Sequence, residues 1–177
     1  MLVNLNKIKI TEPDREWVDD NFKYLIDIFG YPLSQFEQFE LNDHYFPLLF
    51  STEEPELANL IEDLRGLLTL DGVQIAAETR KDIRDLNNVP YVVDGELFES
   101  ELVFLDDGYK IVVAKDLLGY LPRLVYAFII EFVRIRLIES GIEEEDVEEE
   151  DDSYLFNFIA GVYFRFGVIL SQNLSRK

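Results

Sequence analysis

Two strongly apolar segments, residues 121–138 and 154–170, occupy the C-terminal third of the chain and constrain its fold more than any other feature. Both follow helical spacing, and the acidic run Glu143–Asp152 separates them. The first segment contains one glutamate and three arginines, and the second is interrupted by Asn157 and Arg165. Helices that span a membrane rarely carry such residues. We therefore expect two helices of a protein core and no membrane span.

Proline and glycine positions indicate where these helices begin and end. Pro122 suits the first turn of a helix, and Gly141 suits the residue just after one, so the first helix is expected from Pro122 to Ser140. The last helix is expected over residues 153–174. We interpret the acidic run at residues 143–152 as a solvated loop that connects the two helices. The alternative is a contact for a basic partner or a weak attraction for Ca²⁺, although the spacing does not fit an EF-hand loop.

Two more helices are expected in the N-terminal part of the chain. Thr11 and Asp14 form a capping-box pattern, so the first of these helices is predicted over Pro13–Phe29. The second is predicted over Thr52–Leu68, with its threonine as the N-cap. Residues 31–52 contain two prolines and several aromatic residues, which favours a packed, irregular segment between the two helices.

The middle of the chain consists of short runs that are typical of β-strands. Val89–Val93, Glu96–Leu105 and Tyr109–Ala114 are separated by Asp-Gly turns, which are the strongest short-range signal of a hairpin. We expect these runs to form a small antiparallel β-meander, preceded by the short apolar run Val73–Ala77. Helices on both sides of a β-meander predict a single α+β domain over residues 1–177.

Cysteine is absent, and His44 is the one histidine of the 177 residues. The absence of cysteine excludes a disulfide framework, a thiolate zinc site, an iron–sulfur cluster and a cysteine nucleophile. One histidine also excludes a zinc site that takes two or three histidines from a single chain. We interpret His44 as a structural residue, and a functional role in its loop is the alternative.

The net charge narrows the class of partner. The chain has 16 basic and 36 acidic residues, which gives −20 at neutral pH. Because contacts with phosphates need a basic surface, we expect no nucleic-acid partner, whereas a basic protein fits this charge. Residues 1–10 lack the apolar core of a signal peptide, which predicts a cytoplasmic protein.

The first of the two apolar helices carries an altered metallopeptidase pattern. Metallopeptidase helices place histidines at positions i and i+4, where both bind one zinc ion, and a glutamate at i+1 polarises the zinc-bound water. Here Glu131 has the glutamate position, whereas Ile130 and Arg134 have the two histidine positions. Isoleucine cannot ligate a metal, and arginine repels a cation. We favour a structural Glu131–Arg134 ion pair over a catalytic glutamate.

The segments around this helix resemble a group of small bacterial proteins that are similar to zincin-like metallopeptidases. In Tyr109–Leu137, a strand, a Leu-Leu turn and the Glu131 helix match the strand, the turn and the His-Glu-Leu-Ala-His helix of that group. Arg165–Ile169 resembles the group's Gly-Phe-Gly-Ile-Phe-like run, and Trp17–Gly30 resembles its opening helix. The resemblance covers most of the chain.

The resemblance implies a zincin-like fold with a degenerate zinc site, which holds no metal and no cofactor. It also implies that the family's third zinc ligand lies at the start of the last helix, where Asp151 and Asp152 are the nearest acids. A binding groove is then expected where the zinc cleft would be, beside Ile130, Glu131 and Arg134.

These observations predict a non-catalytic protein, a pseudo-metallopeptidase that acts by binding. The alternative is a small acidic protein of the immunity or inhibitor type, which masks a basic partner protein. A third hypothesis is a metal-independent hydrolase that uses Glu131 or the carboxylates of residues 143–152. We rank it last, because acid–base chemistry needs carboxylates held in a dry cleft and the acidic run is expected in an exposed loop.

Overall fold

A computed structural model describes residues 11–30, 36–80, 100–142 and 150–174, and the side chains of residues 150–153 and 174 lie outside that description. The described residues form an α+β fold, as predicted, with five α-helices and three β-strands. Their bounds are α1 Glu12–Phe29, α2 Leu57–Leu67, β1 Ile75–Arg80, β2 Ser100–Leu105, β3 Gly108–Ala114, α3 Leu121–Ile138, α4 Glu150–Tyr163 and α5 Gly167–Leu174. That residues 1–177 make one domain stays a prediction.

Helix α1 confirms the predicted N-terminal helix and begins one residue earlier. The backbone N–H of Asp14 donates to Thr11 Oγ1 at 3.3 Å, and the backbone N–H of Thr11 donates to Asp14 Oδ2 at 3.0 Å, which completes the capping box. The Thr11 hydroxyl also donates to Asp14 Oδ2 at 2.5 Å, and this bond, followed by that of the Thr11 N–H, holds the pKa of Asp14 below its usual value. Gly30 follows the helix with a φ of 86°, a conformation that glycine adopts without strain.

Helix α2 is shorter than predicted. It begins at Leu57, and Thr52 is not its N-cap. Pro55 gives the physical reason, because a proline disfavours the helical conformation in the residue before it. The hydroxyl of Thr52 instead donates to the carbonyl of Glu54 at 2.8 Å.

The irregular segment before α2 is packed, as predicted, in its described part from residue 36 onward. Phe46 and Leu49 are buried in the core. Asp63 of α2, itself buried, accepts the backbone N–H groups of Leu48 at 3.2 Å and Leu49 at 2.8 Å. Because a buried carboxylate needs such donors, this contact both satisfies Asp63 and fixes the segment against the helix.

The predicted hairpin between the second and third strands is confirmed. Strands β2 and β3 pair in antiparallel fashion, with Leu105 opposite Gly108, so Asp106 and Asp107 form a two-residue loop. Alternation along β3 places Ile111 and Val113 together on the face that packs into the core.

The described strands do not confirm the predicted antiparallel meander as a whole. The strand order is β1-β3-β2, and β1 runs parallel to β3, so the sheet is mixed. Gly108 gives a physical reason for the contact of β1 with β3, since a Cβ atom there would lie 2.2 Å from the carbonyl oxygen of Gln74. The backbone N–H of Tyr109 donates to this same oxygen at 2.8 Å. Val89–Val93, expected as a further strand, lies outside the described residues.

The expectation of two long apolar C-terminal helices is correct for α3 and wrong for the last helix. The segment predicted as one helix forms two, α4 and α5, separated by a break at residues 164–166. Within this break, Arg165 has a φ of 78°. The N–H of Arg165 donates to the Val162 carbonyl at 3.1 Å, and that of Phe166 to the Gly161 carbonyl at 3.0 Å. This pair of bonds is a Schellman motif, which ends an α-helix.

Helix α3 lies at the centre of the core, in contact with β2, β3, α2, α4 and α5. It is apolar around almost its whole circumference, which is the pattern of a buried helix. No helix within the described ranges is long and apolar enough to cross a membrane.

Candidate functional site

Glu131 is the acid of the altered metallopeptidase pattern, and it lies inside the most buried part of α3. Every residue from Leu124 to Val133 is buried, and Glu131 is only 6% exposed. A carboxylate in such a place is stable only if its oxygens find donors or a counter-ion. The geometry around Glu131 supplies both.

Both oxygens of the Glu131 carboxylate have partners. The hydroxyl of Ser100, the first residue of β2, donates to Oε1 at 2.7 Å. One turn along α3, Nη1 of Arg134 lies 3.7 Å from Oε2, and this contact confirms the predicted ion pair. Three-residue spacing on a helix brings these two side chains to the same face. The carboxylate therefore joins the central helix to β2, the outermost of the described strands on that side of the sheet.

A second hydroxyl–carboxylate pair lies at the C-terminal end of α3. The hydroxyl of Tyr109 on β3 donates at 2.6 Å to Oε1 of Glu139, the residue that follows the helix. Burial of the Tyr109 ring, helped by the adjacent Glu139 charge, raises the pKa of Tyr109 to about 12. The tyrosine is consequently a permanent donor at neutral pH.

The spacing of the two pairs explains how they form together. Eight residues separate Glu131 from Glu139, which is about 12 Å along an α-helix. Phe104 is the register partner of Tyr109, and it lies four residues after Ser100 on β2, about 13 Å along a strand. Helix α3 and the sheet are therefore matched in length between the two pairs.

The two histidine positions of the metallopeptidase pattern are occupied here by residues that do not ligate zinc. Ile130 is 8% exposed and apolar, and the Arg134 guanidinium is engaged with Glu131. Among the described residues, no group of three or more acids, histidines and cysteines is placed to bind a metal ion. Helix α4 begins at Glu150, so the loop predicted over residues 143–152 is wrong for its last three residues, and its first seven lie outside the described residues. Asp151 and Asp152 lie in the first turn of α4, and their side chains are outside the description. The groove predicted beside Ile130, Glu131 and Arg134 stays a prediction.

His44 lies apart from α3, in the irregular segment before α2. Its side chain is exposed, and its ring meets the ring of Tyr45 edge-on at 4.6 Å. The backbone N–H groups of both residues donate to Oδ1 of Asn42, at 3.1 and 3.2 Å, which is a local turn motif.

The other two arginines of α3, Arg123 and Arg136, lie against aromatic rings, whereas Arg134 pairs with a carboxylate. The guanidinium of Arg123 lies 5.2 Å from the ring centre of Tyr126, whose hydroxyl shares a hydrogen bond with that of Tyr154 at the start of α4. The guanidinium of Arg136 lies 5.2 Å from the ring of Phe29 and donates to Ser140. These contacts hold α3 against its helical neighbours.

A pocket of about 340 Å³ lies at the turn of the β2–β3 hairpin, where α3 ends. It is lined by the hairpin turn with its flanking residues Phe104–Tyr109, by residues 72–74 just before β1, and by Glu139 at the end of α3. Three of these side chains are carboxylates, and Phe104 and Leu105 are exposed apolar residues.

Sequence reasoning identified Glu131 and Arg134 but missed Ser100, Tyr109 and Glu139. Alternation along β2 does place Ser100 on the same face as the buried Leu102, which is the only signal available. Which helix that face meets depends on tertiary packing, and strand periodicity does not encode it.

Comparisons of the chain with protein-family models, with curated proteins and with solved structures find no match.

Proposed function

We propose that this protein is a non-catalytic binding protein on a degenerate zincin-like scaffold. The observation that carries the proposal is the state of Glu131, whose carboxylate accepts from Ser100 and pairs with Arg134. A catalytic glutamate must have an oxygen available to a water molecule. In this chain, Ile130 and Arg134 have the two positions where the metallopeptidase pattern has histidine ligands.

The order of elements supports the scaffold part of the proposal. The resemblance implies a strand, a Leu-Leu turn and a motif helix, followed after an acidic connection by a second apolar helix. The chain has β3, a 3₁₀ turn over Lys115–Gly119 that contains both leucines, then α3 and α4. At Arg165, where the family-like run has glycine, the backbone adopts a positive φ that glycine favours.

Restoring the two histidines tests the scaffold. The variant Ile130→His/Arg134→His should bind zinc at one ion per chain, because the pair would lie one turn apart on α3. The matched control is Arg134→His/Ile138→His, which has the same spacing but lies one turn further along the helix. Isothermal titration calorimetry compares the two variants.

On a zincin-like scaffold, the 130/134 pair should bind zinc at least tenfold more tightly than the control pair, because only it would reach a third ligand. Equal affinities for the two pairs would contradict a zincin-like scaffold. Circular dichroism of both variants should match the wild type, so that the comparison is made between folded proteins.

The second candidate function is an acidic protein of the immunity or inhibitor type that masks a basic protein. The net charge of −20 favours it, because such a field attracts and orients a cationic partner. Affinity capture at low salt should retain a basic protein in a 1:1 ratio, and high salt should release it. Recovery of no basic protein under these conditions would rule this candidate out.

A metal-independent hydrolase that uses Glu131 ranks behind both candidates. The Glu131 carboxylate is buried, accepts a hydrogen bond from Ser100 and pairs with Arg134, which are the properties of a structural acid.

A further inference from the structure

The pocket at the hairpin turn, introduced above, combines carboxylates with an apolar wall. Asp106 and Asp107 form the turn, Glu139 faces it from the end of α3, and Phe104 is 57% exposed. No lysine, arginine or histidine is among the described residues that line the pocket. The pocket therefore concentrates negative potential without an internal counter-ion.

The end of α3 adds to this potential. The C-terminus of a helix carries a partial negative charge, which favours cations placed near it. Glu139 is the residue that caps this end, and its Oε1 accepts the hydroxyl of the buried Tyr109. That hydrogen bond fixes the carboxylate at the pocket wall, so a cation that binds there meets a preorganised acceptor.

We propose that this pocket is the docking site for an arginine or lysine side chain of a basic partner protein. The inference rests on the second candidate function, and it names the surface through which that function would act. The aliphatic stem of the partner side chain would cover Phe104 and Leu105, and its charged head would meet Asp106, Asp107 and Glu139. Bare metal ions gain nothing from an apolar wall, so an organic cation fits the pocket better.

The size of the pocket agrees with this occupant. Its volume of about 340 Å³ lies at the small end of the range for ligand sites, which suits one extended side chain. The surrounding partner surface would then lie over the hairpin turn, at the end of β2 and the start of β3.

The probe is a fluorescein-labelled hexa-arginine peptide, whose binding at low salt is measured by fluorescence anisotropy. The pocket variant is Asp106→Asn/Asp107→Asn/Glu139→Gln, which keeps side-chain shape and moves the net charge from −20 to −17. The matched control, Glu16→Gln/Asp19→Asn/Asp20→Asn, removes the same charge from exposed positions of α1. We expect the pocket variant to bind at least tenfold more weakly than the wild type and the control to stay within threefold.

The apolar wall is tested separately by Phe104→Ala, which changes no charge and should weaken binding at least threefold. Equal losses in the two triple variants would overturn the pocket inference while leaving the basic-partner proposal standing. A wild-type protein that does not bind the peptide at low salt would overturn both. Displacement of the peptide by micromolar calcium would make the pocket a metal site and overturn the inference.

Discussion

The hydroxyl of Ser100 donates to the carboxylate of Glu131 at 2.7 Å, across the interface between β2 and α3. The acid is buried, so its oxygens depend on hydrogen-bond donors supplied by the protein, and Ser100 is one of them. This relationship ties Glu131 to the sheet, a contact that helix spacing alone does not reveal. It also makes the stability of the fold sensitive to a small polar residue at the start of a strand.

Replacing Ser100 by alanine should lower the free energy of unfolding by about 2 kcal/mol, because a buried carboxylate oxygen loses a donor. Urea denaturation followed by circular dichroism measures the change. Ser171→Ala is the matched control, since this exposed serine on α5 donates to the Val168 carbonyl of its own helix, and it should cost less than about 0.5 kcal/mol. If the two variants lose equal stability, the Ser100–Glu131 bond does not anchor the helix.

Replacing Gly108 by alanine should cost more than about 3 kcal/mol, because the new Cβ atom would lie 2.2 Å from the backbone oxygen of Gln74. Gly66 offers the opposite case, since it lies in α2 with nothing within 4 Å of its Cβ position. Gly66→Ala should therefore stabilise the protein by about 0.5 to 1 kcal/mol. Thermal unfolding of both variants tests the pair, and a neutral Gly108→Ala would contradict the close packing of β1 on β3.

Thr69, after the end of α2, is a β-branched residue with a φ of 51°. Left-handed backbone costs an ordinary residue roughly 1 to 2 kcal/mol, whereas asparagine and glycine tolerate it. Thr69→Asn should thus raise the free energy of unfolding by about 1 kcal/mol, as measured with urea. Thr69→Ala is the control, and it should gain less than the asparagine variant, because alanine keeps most of the strain.

The raised pKa of Tyr109 predicts a loss of stability at high pH. Below pH 10, the folded and unfolded chains both keep the phenol proton, and its stabilising effect is complete. Between pH 10 and about 12 the unfolded chain releases the proton first, so stability falls by about 2 to 3 kcal/mol. The stability advantage of the wild type over Tyr109→Phe should accordingly shrink across this range. Parallel urea curves at each pH measure it, and a constant difference would contradict the assignment.

The local signals in the sequence predicted much of the fold. The capping box at Thr11 and Asp14, the glycine stop at Gly141 and the hairpin turn at residues 106–107 all form as expected. Each depends on residues close together in the chain, where backbone geometry and hydrogen bonding decide the outcome.

The errors in the prediction have physical causes of two kinds. The break at Arg165 was missed because arginine is not a residue that favours a positive φ. Two contacts hold the Arg165 side chain at this break. Its Nε donates to the Glu37 carbonyl at 2.6 Å, and its Cζ lies 4.3 Å from the centre of the Phe39 ring. The parallel pairing of β1 was missed because it joins strands distant in sequence, and period-two patterns do not specify the neighbour.

In the candidate site, too, the sequence predicted the contact between residues close together in the chain and missed the contacts between distant ones. The Glu131–Arg134 pair lies within one turn of one helix, so spacing predicted it correctly. Ser100, Tyr109 and Glu139 act across the helix–sheet interface, and nothing in their local sequence identifies the partners.

The matched spacing of the two hydroxyl–carboxylate pairs sets a limit on how this chain can change length. One residue inserted in β2 between Ser100 and Leu105 would turn Ser100 to the opposite face of the sheet. An insertion in α3 between Glu131 and Glu139 would rotate one acid away from its partner by about 100°. Insertions that keep the fold should therefore fall outside these two segments. The number of residues between the two pairs is fixed in the strand and in the helix alike.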